Sequence, residues 1–129
     1  MLFILAIELL YRLVDITTDI KGIQLANATQ SFLLKVAGFA DDTAIYLRTP
    51  AEVPVVLTIT SSFGVASGLN VNIKKTMIIA LGGKKAAAGC PLPPSLEILD
   101  PTRSCRYLGV QVGSSTSGHA NWDTALRQL

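Results

Sequence analysis

The sequence predicts an α/β (α+β) chain: antiparallel strands with helices packed on one face. Three observations predict it. Residues 2–14 repeat apolar positions at helical spacing, and residues 50–67 do so again between a Thr-Pro start and a Ser-Gly stop. Between them lie short β-rich runs, interrupted by the acidic pair Asp41-Asp42.

In the opening "LFILAIELLYRLV", Phe3, Ile7, Leu10 and Val14 fall on one stripe, with Leu2, Ala6, Leu9 and Leu13 beside it. Glu8, Arg12 and Asp15 recur on the opposite side, and Glu8 precedes Arg12 by one helical turn in the favourable order. No capping residue stands ahead of this helix. The strongest strand pair beyond it is Leu33 to Ala40 with Thr43 to Leu47. Asp41-Asp42 would then be a two-residue hairpin turn, weaker in type than Asn-Gly or Asp-Gly.

Thr49-Pro50 reads as a helix cap followed by proline at the first helical position. Val53, Val56, Leu57 and Thr60 keep helical spacing as far as Gly68, which can close the helix, although β-branched residues are frequent here. Residues 74–81 read as a strand with Lys75, Met77, Ile79 and Leu81 on one face. "GGKKAAAGCPLPPS" is a link by composition, "CRYLGVQVG" is strand-like, and "SSTSGHANWDTALRQL" is a polar linker entering a helix. No internal repeat is present.

With 129 residues the chain suffices for one core. Half the residues are hydrophobic, 16% are charged and mean hydropathy is +0.46, which is greasy for so small a domain. No apolar run reaches the roughly 18 residues of a membrane span, and the opening lacks both a basic leader and a small-residue cleavage site. The expectation is a piece of a larger protein, severed at both ends, with core faces uncovered. A net charge of +2 neither demands nor excludes a polyanionic partner. Cys90, Cys105 and His119 contain no Cys-x-x-Cys pair, so reduced thiols are expected rather than zinc ligands or a disulfide framework. An intracellular setting follows as the default, cytoplasm and nucleus being indistinguishable.

The acidic pair carries the chemistry. On a straight strand Asp41 and Asp42 would point to opposite faces, whereas at a turn both can project from the tip. Two carboxylates about 4 Å apart repel by about 4 kcal/mol at an effective dielectric near 20. A proton or a cation relieves that repulsion. Oxygen-bound Mg²⁺, or Mn²⁺ in its place, does so directly, and a metal pair about 4 Å apart serves phosphoryl transfer. The plain alternative is an exposed turn in which Asp makes local hydrogen bonds.

"FADDTAIYL" resembles the aromatic-Ala-Asp-Asp hairpin of reverse transcriptases, particularly those of non-LTR (LINE-type) retrotransposons. "SGLNVNIKKT", residues 67–76, resembles the Ser-Gly-Leu-x-x-Asn-x-x-Lys-Thr segment that follows the next helix in that family, and "YLGVQVG", residues 107–113, its primer-grip hairpin. "LFILAIELLYRL" is similar to the helix after the family's Gln-Gly-x-Pro-x-Ser-Pro segment. The features occur in family order and spacing over roughly residues 1–113.

The resemblance implies a partial polymerase palm over residues 1–113 and a linker with the start of a thumb helix, including Trp122, over 114–129. It implies RNA-templated DNA synthesis with Mg²⁺, deoxynucleoside triphosphates, an RNA template and a DNA primer. Asp41 and Asp42 would be catalytic metal ligands, Asp41 the more direct. Phe39, where the family usually has Tyr, and Ala40 would lie by the nucleotide. Lys75 would protonate the departing pyrophosphate, and Tyr107, Leu108 and Gly109 would hold the primer.

Read alone, Lys75 can be a strand-end lysine whose stem covers apolar surface. Likewise Gly68 ends a helix, Asn72 caps a turn and Gly109 relaxes a strand bend. The family's further palm aspartate and its fingers have no counterpart in this sequence, and Asp15 and Asp19 are poor replacements. Little or no polymerase activity is therefore expected of the chain without the missing palm and fingers segments. Two other readings stay open: a non-catalytic retroelement remnant that at most binds nucleic acid, and a receiver-like Mg²⁺-binding signalling domain with parallel strands.

Overall fold

The computed structural model describes residues 2–81, 92–108, 110–113 and 126–127. The chain divides into two units, Met1–Val71 and Asn72–Leu129. The first contains helix α1 (Leu2–Ile16), strands β1 (Ile23–Ala26), β2 (Ser31–Leu34), β3 (Val36–Phe39) and β4 (Asp42–Ile45), and helix α2 (Val53–Ser67). The second contains β5 (Met77–Ile78), β6 (Glu97–Ile98), β7 (Ser104–Tyr107) and β8 (Val110–Gly113). Helices with small, mostly antiparallel sheets make an α/β fold, as the periodicities predict.

In α1 the first expected stripe meets the core, together with Ala6 of the second. Leu10 and Val14 are buried and Ile7, Ala6 and Tyr11 pack beside them, whereas Leu2, Leu9 and Leu13, and Phe3 from the first stripe, stay exposed. The helix meets α2 and β3, and a cylinder touched from that side buries one stripe. Lys35 closes it: its Nζ donates to the carbonyls of Asp15 (2.8 Å) and Thr17 (2.9 Å), which no helical N–H reaches. Among the described residues no helix is long and apolar enough to cross a membrane.

That lysine also divides what the sequence suggests is one strand. Leu33 and Leu34 pair backwards, with Gln24 and Ile23 of β1, while Val36 begins a separate hairpin with β4. The result is four two-stranded sheets among the described residues instead of one layer. Gly22 (φ +63) lets the chain into β1, where a Cβ would come within 2.5 Å of the Leu34 carbonyl oxygen.

Before α2, Pro50–Glu52 form a 3-10 turn, so Pro50 opens that turn and the α-helix proper starts at Val53. The predicted inward spacing holds. Val53 and Thr60 are buried, Val56 and Leu57 half-buried, and the stripe continues into buried Phe63 and Gly64. Gly68 (φ +75) ends the helix, its N–H donating to the Gly64 carbonyl at 2.9 Å. Leu10, Val14, Ile20 and Phe63 form the core, and Val36 and Ile45 of the β3–β4 hairpin pack against it.

In the second unit the expected strand over 74–81 is mostly replaced. Ile73–Lys75 form a 3-10 turn begun by the Asn72 carbonyl, and only Met77–Ile78 pair, in parallel, with Glu97–Ile98. Lys75 is exposed on that turn, so strand parity does not point it inward. Leu96 and Leu99 are buried, and the Leu99 N–H donates to the Ile78 carbonyl at 2.9 Å. Asp100 turns the chain into β7 by accepting from the Thr102 N–H and hydroxyl. Cys105 is a free, half-buried thiol, whereas Cys90, His119 and Trp122 lie outside the described residues.

Candidate functional site

The β3–β4 hairpin is antiparallel, with Val36 opposite Ile45, Ala37 opposite Ala44, Gly38 opposite Thr43 and Phe39 opposite Asp42. Its two-residue turn is therefore Ala40-Asp41. The acidic pair does not span the turn as expected: Asp41 is its second residue and Asp42 opens β4. Two-residue hairpins call for positive φ to match strand twist, and Ala40 supplies it at +54°. An alanine there costs about 1 kcal/mol. Such strain survives only where the surroundings hold it.

Alternation then separates the faces. Val36 and Ile45 point into the core, so Gly38 and Thr43, two residues along, face α1 as well. There the Tyr11 hydroxyl lies 3.0 Å from Thr43 Oγ1. A Cβ on Gly38 would run into that same hydroxyl. Phe39 and Asp42 occupy the opposite face, and Phe39 is 69% exposed, so its ring is open to stacking. Asp41 and Asp42 are both exposed. The tip thus offers an aromatic face and two carboxylates to solvent.

The remaining expected site residues belong to the second unit. Tyr107 pairs with Val110 across a turn whose first residue, Leu108, also has positive φ (+48°). Leu108 is exposed and Tyr107 half-buried, while Gly109 is outside the described residues. Both non-glycine residues with positive φ among the described residues, Ala40 and Leu108, are expected site residues, and each opens a turn where sequence reasoning has a strand.

Sequence reasoning missed Tyr11, Gly38 and Thr43, because nothing in a single chain pairs a helix residue with a strand 32 positions on. It also missed Glu52, although Thr49-Pro-Ala-Glu52 carries the spacing of a capping box. Ala40→Gly is expected to stabilise the first unit by about 0.5 kcal/mol, relief of the left-handed strain outweighing the greater freedom of glycine in the unfolded chain. Its urea midpoint checks this.

The geometry defines a class: an α/β chain whose helix-backed hairpin presents acids beside an aromatic ring. The family model of reverse transcriptase (RNA-dependent DNA polymerase) matches residues 10–112, a span that includes the hairpin, Lys75 and the Tyr107 turn. The chain belongs to that family. No solved structure matches it.

Proposed function

We propose that residues 1–113 form part of the palm of a non-LTR (LINE-type) reverse transcriptase, with 114–129 leading into its thumb. The parent reaction is Mg²⁺-dependent, RNA-templated DNA synthesis from deoxynucleoside triphosphates on a primer. The observation that carries this reading is the Ala40-Asp41 turn, which sets Phe39, Asp41 and Asp42 at one exposed hairpin end.

In this reading Asp41 and Asp42 accept the metal, Phe39 stacks by the nucleotide and Ala40, lacking a larger side chain, lets the sugar approach. Lys75 gives a proton to the leaving pyrophosphate, and Tyr107, Leu108 and Gly109 support the primer. Among the described residues no three or more His, Cys, Asp or Glu stand together as a metal-holding group. Two exposed carboxylates fit a cation that arrives with further oxygen ligands, as Mg²⁺ does on a triphosphate. Bound there, the metal would stabilise the attacking and leaving oxygens.

Because the hairpin offers only part of a donor set, the 129-residue chain alone has little or no polymerase activity. Purified chain is expected to extend a primer on an RNA template no better than its Asp41→Ala variant. Robust extension that Asp41→Ala abolishes would overturn this. A remnant that only binds nucleic acid differs in activity alone, and salt-dependent binding to an RNA–DNA duplex supports it. The receiver-like alternative requires parallel neighbours at the acids, and those neighbours are antiparallel.

A further inference from the structure

We propose that Tyr11 is a positioning residue for the acid-bearing hairpin, acting through Gly38 and Thr43. The proposal rests on reading Asp41 and Asp42 as metal-holding carboxylates.

The Gly38–Thr43 rung is the one directly behind Phe39–Asp42. It is gripped from the helix side on both strands. On β3 the bare Cα of Gly38 leaves the space that the Tyr11 hydroxyl occupies. On β4 the same hydroxyl shares a hydrogen bond with Thr43 Oγ1. Tyr11 is itself anchored, since its half-buried ring packs against the Leu10, Val14, Ile20 and Phe63 core. The phenol thus ties a two-residue turn to the best-buried part of the unit.

Pleating turns this tie into control of the acids. Side chains alternate along a strand, so holding Thr43 toward the helix holds Asp42 away from it. A slip of one residue would exchange them, bringing Asp42 against the helix and Thr43 to solvent. The turn has a reason to slip, because Ala40 is held in the left-handed region that a non-glycine residue avoids. Tyr11 opposes that release one rung away. Packing alone would be served by phenylalanine; the hydroxyl is what reaches Thr43.

The test uses the isotopically labelled 129-residue chain with Mn²⁺ as a paramagnetic probe, comparing Tyr11→Phe, Thr43→Val and their double variant. In the unsubstituted chain Mn²⁺ should broaden the amide signals of residues 40–42. Each single variant should need about five-fold more Mn²⁺ for the same broadening, the worth of one ordinary hydrogen bond, and the double variant no more than either. Cross-strand contacts between Phe39 and Asp42 should weaken while the signals of Val14 and Phe63 stay in place. Gly38→Ala, whose Cβ would displace the Tyr11 hydroxyl, should lose the same contacts.

Unchanged Mn²⁺ response together with unchanged Phe39–Asp42 contacts in Tyr11→Phe and Thr43→Val would overturn the proposal. So would simultaneous loss of the Val14 and Phe63 signals, which a merely structural tyrosine predicts. If Mn²⁺ leaves residues 40–42 of the unsubstituted chain untouched, the metal reading of the acids falls. The tie is then decided by the Phe39–Asp42 contacts alone: weakening in the variants upholds it, persistence defeats it.

Discussion

Phe63→Ala is expected to remove about 3–5 kcal/mol from the first unit and with it most of its cooperative unfolding transition. Phe63 is 7% exposed and is the largest of the buried core residues, the others being Leu10, Val14 and Ile20. It joins α2 to α1, and the hairpin's Val36 and Ile45 pack on the same cluster. Small domains have only about 5–15 kcal/mol in all, so a loss of this size leaves little. Urea unfolding followed by circular dichroism reads it directly. Val65→Ala, at a side chain 88% exposed on the same helix, should move the midpoint by less than about 0.5 kcal/mol. Equal effects from the two substitutions would show that this core does not hold the unit together.

Glu52→Ala should cost about 3 kcal/mol, well above the effect of an exposed polar substitution. The residue is 6% exposed, and its carboxylate is fully engaged. Oε2 accepts from the Lys21 N–H at 2.9 Å, and Oε1 accepts from the Thr49 N–H at 3.1 Å and the Thr49 hydroxyl at 3.3 Å. One side chain therefore satisfies donors from the entry to β1 and from the turn before α2, segments far apart in the chain. Alanine leaves those donors without their acceptor at a part-buried spot. Glu52→Gln keeps one acceptor oxygen but sets an amide NH₂ against N–H donors, so its cost should fall between wild type and alanine. Faster amide exchange at Lys21 and Thr49 in Glu52→Ala, ahead of global unfolding, would locate the effect. Unchanged exchange at both would contradict it.

These positions show how differently the parts of the molecule are written in the chain. Both helices are legible because period 3.6 survives in a single sequence: residues 2–14 and 50–67 correspond closely to Leu2–Ile16 and Val53–Ser67. Which α1 stripe is covered is not legible. Leu10 and Leu9 are chemically alike, and only the neighbouring helix and hairpin make one buried and the other 60% exposed. The acid hairpin is legible to within one residue. Asp-Asp and Ala-Asp are both admissible two-residue turns, and the choice follows from pairing Phe39 with Asp42 and Gly38 with Thr43 beneath Tyr11.

Lys35 and Lys75 take roles that no local pattern shows, for different reasons. Each reads as an ordinary strand position by local pattern. The Lys35 carbonyl accepts from the Tyr46 N–H at 2.8 Å beside the β3–β4 ladder, while its Nζ caps α1 through carbonyls about twenty residues earlier. Lys75 sits on a 3-10 turn because the Asn72 carbonyl captures its N–H at 3.0 Å. At Lys75 the turn outweighs a weak preference for extended backbone, and at Lys35 the distant carbonyls decide only where the side chain goes.

Periodicity is enough, from the chain alone, to predict an α/β chain because it records local geometry. The Phe-Ala-Asp-Asp run, with the motifs that follow it in order, carries the resemblance to reverse transcriptases that the family match over residues 10–112 bears out. Strand partners, the covered helix stripe, the buried role of Glu52 and the grip of Tyr11 on Gly38 and Thr43 emerge only on folding. Each depends on groups that long intervening segments keep apart until the core forms, and no local pattern encodes which of several equivalent residues will meet.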